Sequence, residues 1–324
     1  MGTLGHNDAA GPDGMFQLGL IGAGRMGRTH LQAISGSQTV RVAGVVDSDP
    51  GTRAAVVAGG IPAYPSLDEL VAAGQIDGAL IAVPTTRHVA VLENVAAAGI
   101  PVLCEKPCGL TAAETSQCAS AASRAGVLVQ VAYWRRFVPD LVELRHQLQA
   151  GELGDILAVN CYQWDAAPPS AEFRGTSGGI FIDMGVHEFD QVRWLTGQEF
   201  KAVHVASSGN GNSDSDPDCA QLVAELDGGT TAMVSLGRWH PAGDSCKVEV
   251  FGTKGTVSSW FLDPVHGDAV FHHALQSQAE EFAAAVRRHG TGVARLAAGS
   301  SADDALAALK VATAATAKTG RQWP

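Results

Sequence analysis

The chain has 324 residues, enough for about two domains. Hydrophobic residues make up 46%, which can fill a core in each, and 33 acidic against 22 basic residues leave a net charge of −11. With no basic run interleaved with aromatics, this balance excludes nucleic acid and anionic membrane surfaces as partners.

Residues 1–14 are polar and glycine-rich and read as a disordered leader, with Met15 as an alternative start. They lack the basic start and apolar run of a signal peptide, and no apolar run in the chain is long enough to span a bilayer. Cys104, Cys108, Cys118, Cys161, Cys219 and Cys246 form no Cys-x-x-Cys pair and no paired zinc-ligand spacing. Reduced thiols, a cytoplasmic location and no metal are therefore expected.

From Phe16 to about Val131, short apolar runs alternate with amphipathic, alanine-rich segments. Strands are expected at Phe16–Ile21, Val40–Val46, Ala79–Val83, Val102–Cys104 and Val127–Val131. Helices are expected at Met26–Ser35, Gly51–Ala58, Leu67–Ala73, His88–Ala98 and Ala112–Ala125. This alternation predicts an α/β fold whose N-terminal Rossmann domain, residues 15–133, is a doubly wound parallel sheet. The pattern then changes. A helix at Pro139–Ala150, a strand at Asp155–Gln163 and a helix at Asp183–Leu195 precede strands at Val203–Ser207, Ala220–Leu226, Thr231–Leu236, Lys247–Phe251 and Thr256–Trp260. Asp227-Gly228-Gly229 is a hairpin turn signal, and Gly209–Asp218 is a polar loop. Helices at Gln276–Arg288 and Ala302–Lys318 close the chain. Residues 134–324 are thus expected to form an α+β domain with a mostly antiparallel open sheet that binds substrate and carries the oligomer contact, its last helix free to pack back on the first domain.

Gly22-Ala23-Gly24-Arg25-Met26-Gly27 matches G-x-G-x-x-G, with Arg25 and Met26 in the variable places, between a strand pattern and a helix pattern. Gly22 permits the tight turn, Gly24 lets the backbone approach a pyrophosphate, and Gly27 allows close helix–sheet packing. Asp47 follows twenty residues later at the end of the second strand, where an acidic side chain accepts from ribose hydroxyls and repels a 2′-phosphate, so NAD is favoured. Asp49 adds negative charge there, and Arg53 is the basic residue close enough to oppose it.

Glu105-Lys106-Pro107 follows the fifth strand, whose C-terminal end points at the ligand crevice of a doubly wound sheet. Lys106 there can donate to a substrate hydroxyl, or be a plain surface lysine. Glu105 either caps its surroundings or holds Lys106. In Gly178–Asp190, the Gly178-Gly179 pair precedes Asp183 and His187, four residues apart and so on one face of a helix. A carboxylate beside an imidazole fixes its tautomer, although the same spacing also arises on ordinary helix surfaces. Tyr162, Gln163, Trp164 and Asp165 end the strand before that helix and either line a sugar site or pack on the sheet. Arg135 or Arg136 contacts substrate or pairs with acids, and Arg238, Trp239 and His240 have similar status. Asp190 is a supporting partner or a surface carboxylate.

The combination of Gly22–Gly27, Glu105-Lys106-Pro107 and Gly178-Gly179…Asp183…His187 resembles the Gfo/Idh/MocA oxidoreductases. Tyr133–Phe137, Gly151–Gly154 and Val248–Gly255 look like the inositol 2-dehydrogenase branch. The resemblance implies oxidation of a secondary alcohol of a cyclitol or sugar, with hydride passing to NAD. It implies His187 as general base, Asp183 orienting substrate or imidazole, and Lys106 binding the reacting hydroxyl. It also implies cofactor contacts from Glu105 and Lys106. The branch is expected to carry a tyrosine-containing stretch where this chain reads Ala242–Lys247, and the segment between Gly255 and Gln276 is short, which widens the implied substrate beyond myo-inositol. Two alternatives are redox-assisted glycoside cleavage with recycled NAD, and a catalytically silent NAD-binding regulator. One face of the second sheet needs covering, which predicts a homodimer or homotetramer.

Overall fold

Phe16–Ile21 is buried at all six positions, the signature of a strand covered on both faces. It is β1 at the centre of the first of two sheets in the computed structural model, which describes residues 14–209, 216–289 and 298–319. The expected leader, except Gly14, and residues 210–215 of the expected polar loop lie outside the described residues. The chain divides into two compact units, the first made of 1–108, 116–132 and 275–302, the second of 109–115, 133–274 and 303–324.

In the first unit β1, β2 (Val40–Val46), β3 (Ala63–Tyr64), β4 (Gly78–Ile81), β5 (Val102–Cys104) and β6 (Val129–Val131) lie in the order β3-β2-β1-β4-β5-β6, all parallel. The order reverses between β1 and β4, which opens a crevice at the strands' C-terminal ends. Helices α1 (Arg25–Ile34), α2 (Pro50–Ala58), α3 (Leu67–Ala73), α4 (His88–Ala97) and α5 (Ala112–Ala125) connect the strands. Local chemistry sets their starts. Asp49 accepts from the Thr52 amide at 2.6 Å with Pro50 behind it, and Ser66 accepts from Glu69 at 3.3 Å. The core joins Phe16, Leu18, Leu20, Val45, Leu80 and Leu103 to Phe282, whose ring meets Phe16 edge-on at 5.9 Å. Phe282 belongs to the later helix α9 (Gly267–His289), which begins nine residues before the expected Gln276 start.

The second unit holds α6 (Pro139–Gln149), β7 (Ile156–Trp164), α7 (Ala171–Thr176), α8 (Val186–Thr196), β8 (Phe200–Ser208), β9 (Cys219–Leu226), β10 (Thr231–Gly237), β11 (Ser245–Gly252), β12 (Thr256–Leu262) and α10 (Ala302–Thr316). The sheet order is β12-β11-β7-β10-β9-β8, antiparallel except for the parallel pair β7 and β10. The expected hairpin turn at Asp227–Gly229 joins β9 to β10, with Gly229 at φ 89°. Side chains alternate across the sheet. Val159, Cys161, Leu222, Val234, Leu236 and Val248 are buried on the face that α8 covers, where Gln191 donates to Cys161 Sγ at 3.4 Å. The Asp183–Leu195 helix is not one α-helix. Phe181–Gly185 is a π-helical turn, and the α-helix starts at Val186.

Candidate active site

At the C-terminal end of β1 the chain turns through Gly22 at φ 94°, where a Cβ would sit 2.7 Å from the Ala82 carbonyl oxygen. A Cβ on Gly27 would lie 2.1 Å from the Gly22 carbonyl oxygen, so only glycine lets α1 start this close to the strand. Gly24 faces open space, where a Cβ would meet nothing within 4 Å. It is the N-cap of α1, with no side-chain cap and no acidic residue in the first turn. Free amides, a favourable dipole and an open approach fit a pyrophosphate. Arg25 is exposed and Met26 half-buried beside it.

The Asp47 carboxylate accepts from Ala23 N at 2.8 Å and from Asp49 N at 2.9 Å. Each oxygen keeps a further lone pair, so the side chain is locked to the glycine loop and can still accept from a ribose hydroxyl. Arg53 donates to the Asp47 and Ser48 carbonyls at 2.8 and 2.9 Å. These residues fit NAD. Gly27→Ala is expected to weaken NAD binding at least about tenfold, roughly 1.4 kcal/mol, read by titration calorimetry, because the methyl must displace backbone.

Glu105 is buried, Oε1 lies 2.7 Å from His30 Nε2, and Oε2 accepts from Lys106 N at 3.1 Å, so the protein itself holds the carboxylate in place. Burial pushes its pKa up, but the His30 hydrogen bond and charge, with Lys106, outweigh that and hold it below the usual carboxylate range. Lys106 is half-buried at the end of β5.

In the second unit Gly178 and Gly179 take φ of 81° and 88°, a left-handed pair that turns the chain into the π-helical segment. Asp183 N donates to the Gly179 carbonyl at 2.8 Å. The Asp183 carboxylate faces the fully buried Arg238, Oδ2 to Nη1 at 3.7 Å. Arg238 Nη2 donates to Asp216 Oδ1 at 3.3 Å. Asp216 in turn accepts from Arg174 Nε at 2.9 Å and from Ile180 N at 2.9 Å, which ties the network to the start of the π turn. His187 is buried at the start of α8, with the rings of Tyr133 and Trp134 edge-on at 5.9 and 6.3 Å.

Several sequence candidates sit elsewhere. Tyr162 and Trp164 project from the face of β7 opposite the one α8 covers. Tyr162 OH donates to Glu249 at 3.1 Å, and Trp164 Nε1 donates to Ser235 Oγ at 3.0 Å. Side-chain alternation along β7 therefore removes both from the His187 side. Arg135 is buried against Glu188 at 2.6 Å, a core ion pair with no surface for substrate. Arg136 and Asp190 form a buried two-pronged pair at 2.9 and 2.6 Å, so Asp190 is not a surface carboxylate. His240 lies in the loop after β10, its Nδ1 2.5 Å from the Gly243 carbonyl oxygen. Asp216, Arg174, His30 and His88 escaped sequence reasoning, since each gains meaning only from partners distant in the chain. Among the described residues no group of three His, Cys, Asp or Glu could hold a metal ion.

Residues 16–133 match the family model described as an oxidoreductase family with an NAD-binding Rossmann fold, and residues 141–258 match the GFO/IDH/MocA C-terminal domain. The rhizopine catabolism protein MocA of Rhizobium meliloti is 48% identical over 304 residues, covering 93% of this chain and 94% of its own. The inositol 2-dehydrogenase of Rhizobium meliloti strain 1021 is 30% identical over 92% of this chain and 95% of its own. A crystal structure of a candidate myo-inositol dehydrogenase from Sinorhizobium meliloti 1021 superposes with a TM-score of 0.86 at 29% identity, covering 94% of this chain and 97% of that one. With the glycine loop, the parallel sheet and both halves of the chain matched, this protein belongs to the Gfo/Idh/MocA family of NAD-dependent oxidoreductases.

Proposed function

We propose that the protein oxidises a secondary hydroxyl of a cyclitol or cyclic monosaccharide. The observation that carries this is Asp183, held by buried Arg238, one turn from a His187 walled by aromatic rings. The inositol 2-dehydrogenase among its relatives supports the substrate class. Bound NAD supplies the hydride acceptor. His187 Nδ1 is buried within the protein, which leaves Nε2 as the atom that takes the hydroxyl proton. Asp183, oriented by the arginine, accepts a hydrogen bond from substrate. Lys106 is assigned to hydrogen-bond the reacting oxygen. Positioning of this kind supplies much of the rate.

A panel of inositols, other polyols and aldoses, read by NADH absorbance with NAD and NADP side by side, tests the proposal. NADH formation on a cyclitol or pyranose, with NADP the poorer acceptor because of Asp47, is the expected result. NAD binding without turnover on any polyol would point to a silent regulator, and sugar release from a glycoside without net NADH would point to redox-assisted cleavage.

The outer face of the second sheet exposes Val223, Trp260 and Phe251, 53%, 54% and 36% accessible. A second copy of the chain is assigned to cover it. Light scattering should give the mass of at least two chains, and Trp260→Glu should shift it toward one. A wild-type protein with the mass of one chain would overturn this.

A further inference from the structure

We propose that two buried histidines outside the assigned catalytic set, His30 and His88, are positioning residues that grip the Lys106 segment from both sides. This rests on the assignment of Lys106 to the reaction.

His30 lies on α1, six residues beyond Gly24, with no exposed surface. Its Nε2 is 2.7 Å from Glu105 Oε1, and its Nδ1 is buried with no hydrogen-bond partner among the described residues. Glu105 is thus the one polar group this ring meets there. The other oxygen of Glu105 accepts the backbone N–H of Lys106 at 3.1 Å. A continuous set of contacts therefore runs from the helix behind the glycine loop, through a carboxylate, to the lysine's own amide.

His88 opens α4 and is 1% exposed. Its Nδ1 lies 2.8 Å from the carbonyl oxygen of Pro107, the residue after Lys106. Its Nε2 lies 2.9 Å from the carbonyl oxygen of Val83, just beyond β4. Lys106 is therefore held on its N-terminal side through Glu105 and on its C-terminal side through Pro107.

Packing alone does not explain these choices. A leucine fills such core positions without a polar group to satisfy, whereas a buried imidazole must find hydrogen-bond partners or destabilise the fold. Both rings direct polar atoms to the same three-residue segment. The lysine side chain is long and rich in rotamers, so its aim depends on the backbone beneath it. A misplacement of about 1 Å at a reacting group can lower the rate about a hundredfold.

The test is a double-mutant cycle on the full-length protein. His30→Leu and His88→Leu are made in wild type and in Lys106→Met, with kcat, the KM for polyol and the NAD Kd by calorimetry measured for each. Each leucine variant should lower kcat about tenfold or more in wild type, change NAD Kd less than about twofold, and have no further effect in Lys106→Met. His30→Gln, which can still donate to Glu105, should recover most of the loss. Hydrogen exchange on the NAD-free protein should show residues 104–108 exchanging faster in His30→Leu, with β1 unchanged. Where a leucine variant fails to fold, His30→Gln and Glu105→Gln, followed by the same exchange measurement, carry the comparison. Equal losses in both backgrounds, or unchanged kcat and exchange, would overturn the proposal. Wild-type kcat in Lys106→Met would remove Lys106 from the reaction and this role with it, a result distinct from failure of the cycle.

Discussion

His187→Gln is expected to lower kcat at least about a hundredfold while NAD Kd stays within about twofold of wild type. General bases contribute about 10²- to 10⁴-fold to proton transfers. Glutamine keeps the polar reach of the imidazole but cannot take a proton, so the comparison isolates that step. The Tyr133 and Trp134 rings flanking His187 limit water at the imidazole, leaving no bulk base to substitute for it. NAD affinity should persist because the glycine loop and Asp47 belong to the first unit and His187 to the second. Asp183→Asn should give a smaller loss that appears partly in the polyol KM, since Asp183 is assigned to orient rather than to transfer. A His187→Gln kcat within threefold of wild type would remove the histidine from proton transfer.

Much of the first unit was legible from local pattern. Phe16–Ile21, Val40–Val46, Val102–Cys104 and Leu67–Ala73 fall at their expected bounds, because short valine- and leucine-rich runs and a Ser66 cap are signals written in adjacent residues. The two-residue β3 and the six-residue α7 are too short to show a period, and neither was anticipated. The early start of α9 was hidden because Gly267-Asp268 with His272 and His273 reads as loop chemistry, while the helix is held by burial of Ala274, Leu275 and Phe282 farther along. At the candidate site, the residue types were legible and their surroundings were not. Period-two alternation fixes that Tyr162 and Trp164 share a face, but which face meets α8 depends on the sheet's register and covering helices. Pairing with acids, one of the two expected readings of Arg135 and Arg136, holds, but which acids take part and the burial of Asp190 were hidden, because charged residues are seldom buried and the partners lie more than fifty residues apart in sequence. The π turn at Asp183 changes the helix phase that the four-residue spacing assumed.

Glu188→Ala should destabilise the second unit by about 3–5 kcal/mol, the cost of stranding a buried charge. Arg135 and Glu188 meet at 2.6 Å with side chains 3% and 0% exposed. Burial lowers the Arg135 pKa, yet the Glu188 carboxylate outweighs it and the guanidinium is held above its ordinary value. Removing the carboxylate leaves that cation with Gln191 Oε1 at 3.2 Å, Gln163 Oε1 at 2.8 Å and Cys246 Sγ at 3.4 Å, which solvate it without neutralising it. A loss of this size is a large fraction of the roughly 5–15 kcal/mol that holds a domain folded. Urea unfolding should therefore show the second unit's transition at markedly lower denaturant. Arg135→Met combined with Glu188→Leu should recover most of the loss, because the desolvation cost of both charges disappears together. That recovery separates the stranded charge from simple loss of packing, which the double variant would not repair. A single-variant loss under about 1 kcal/mol would mean that water reaches Arg135 and that the pair is not a buried one in solution.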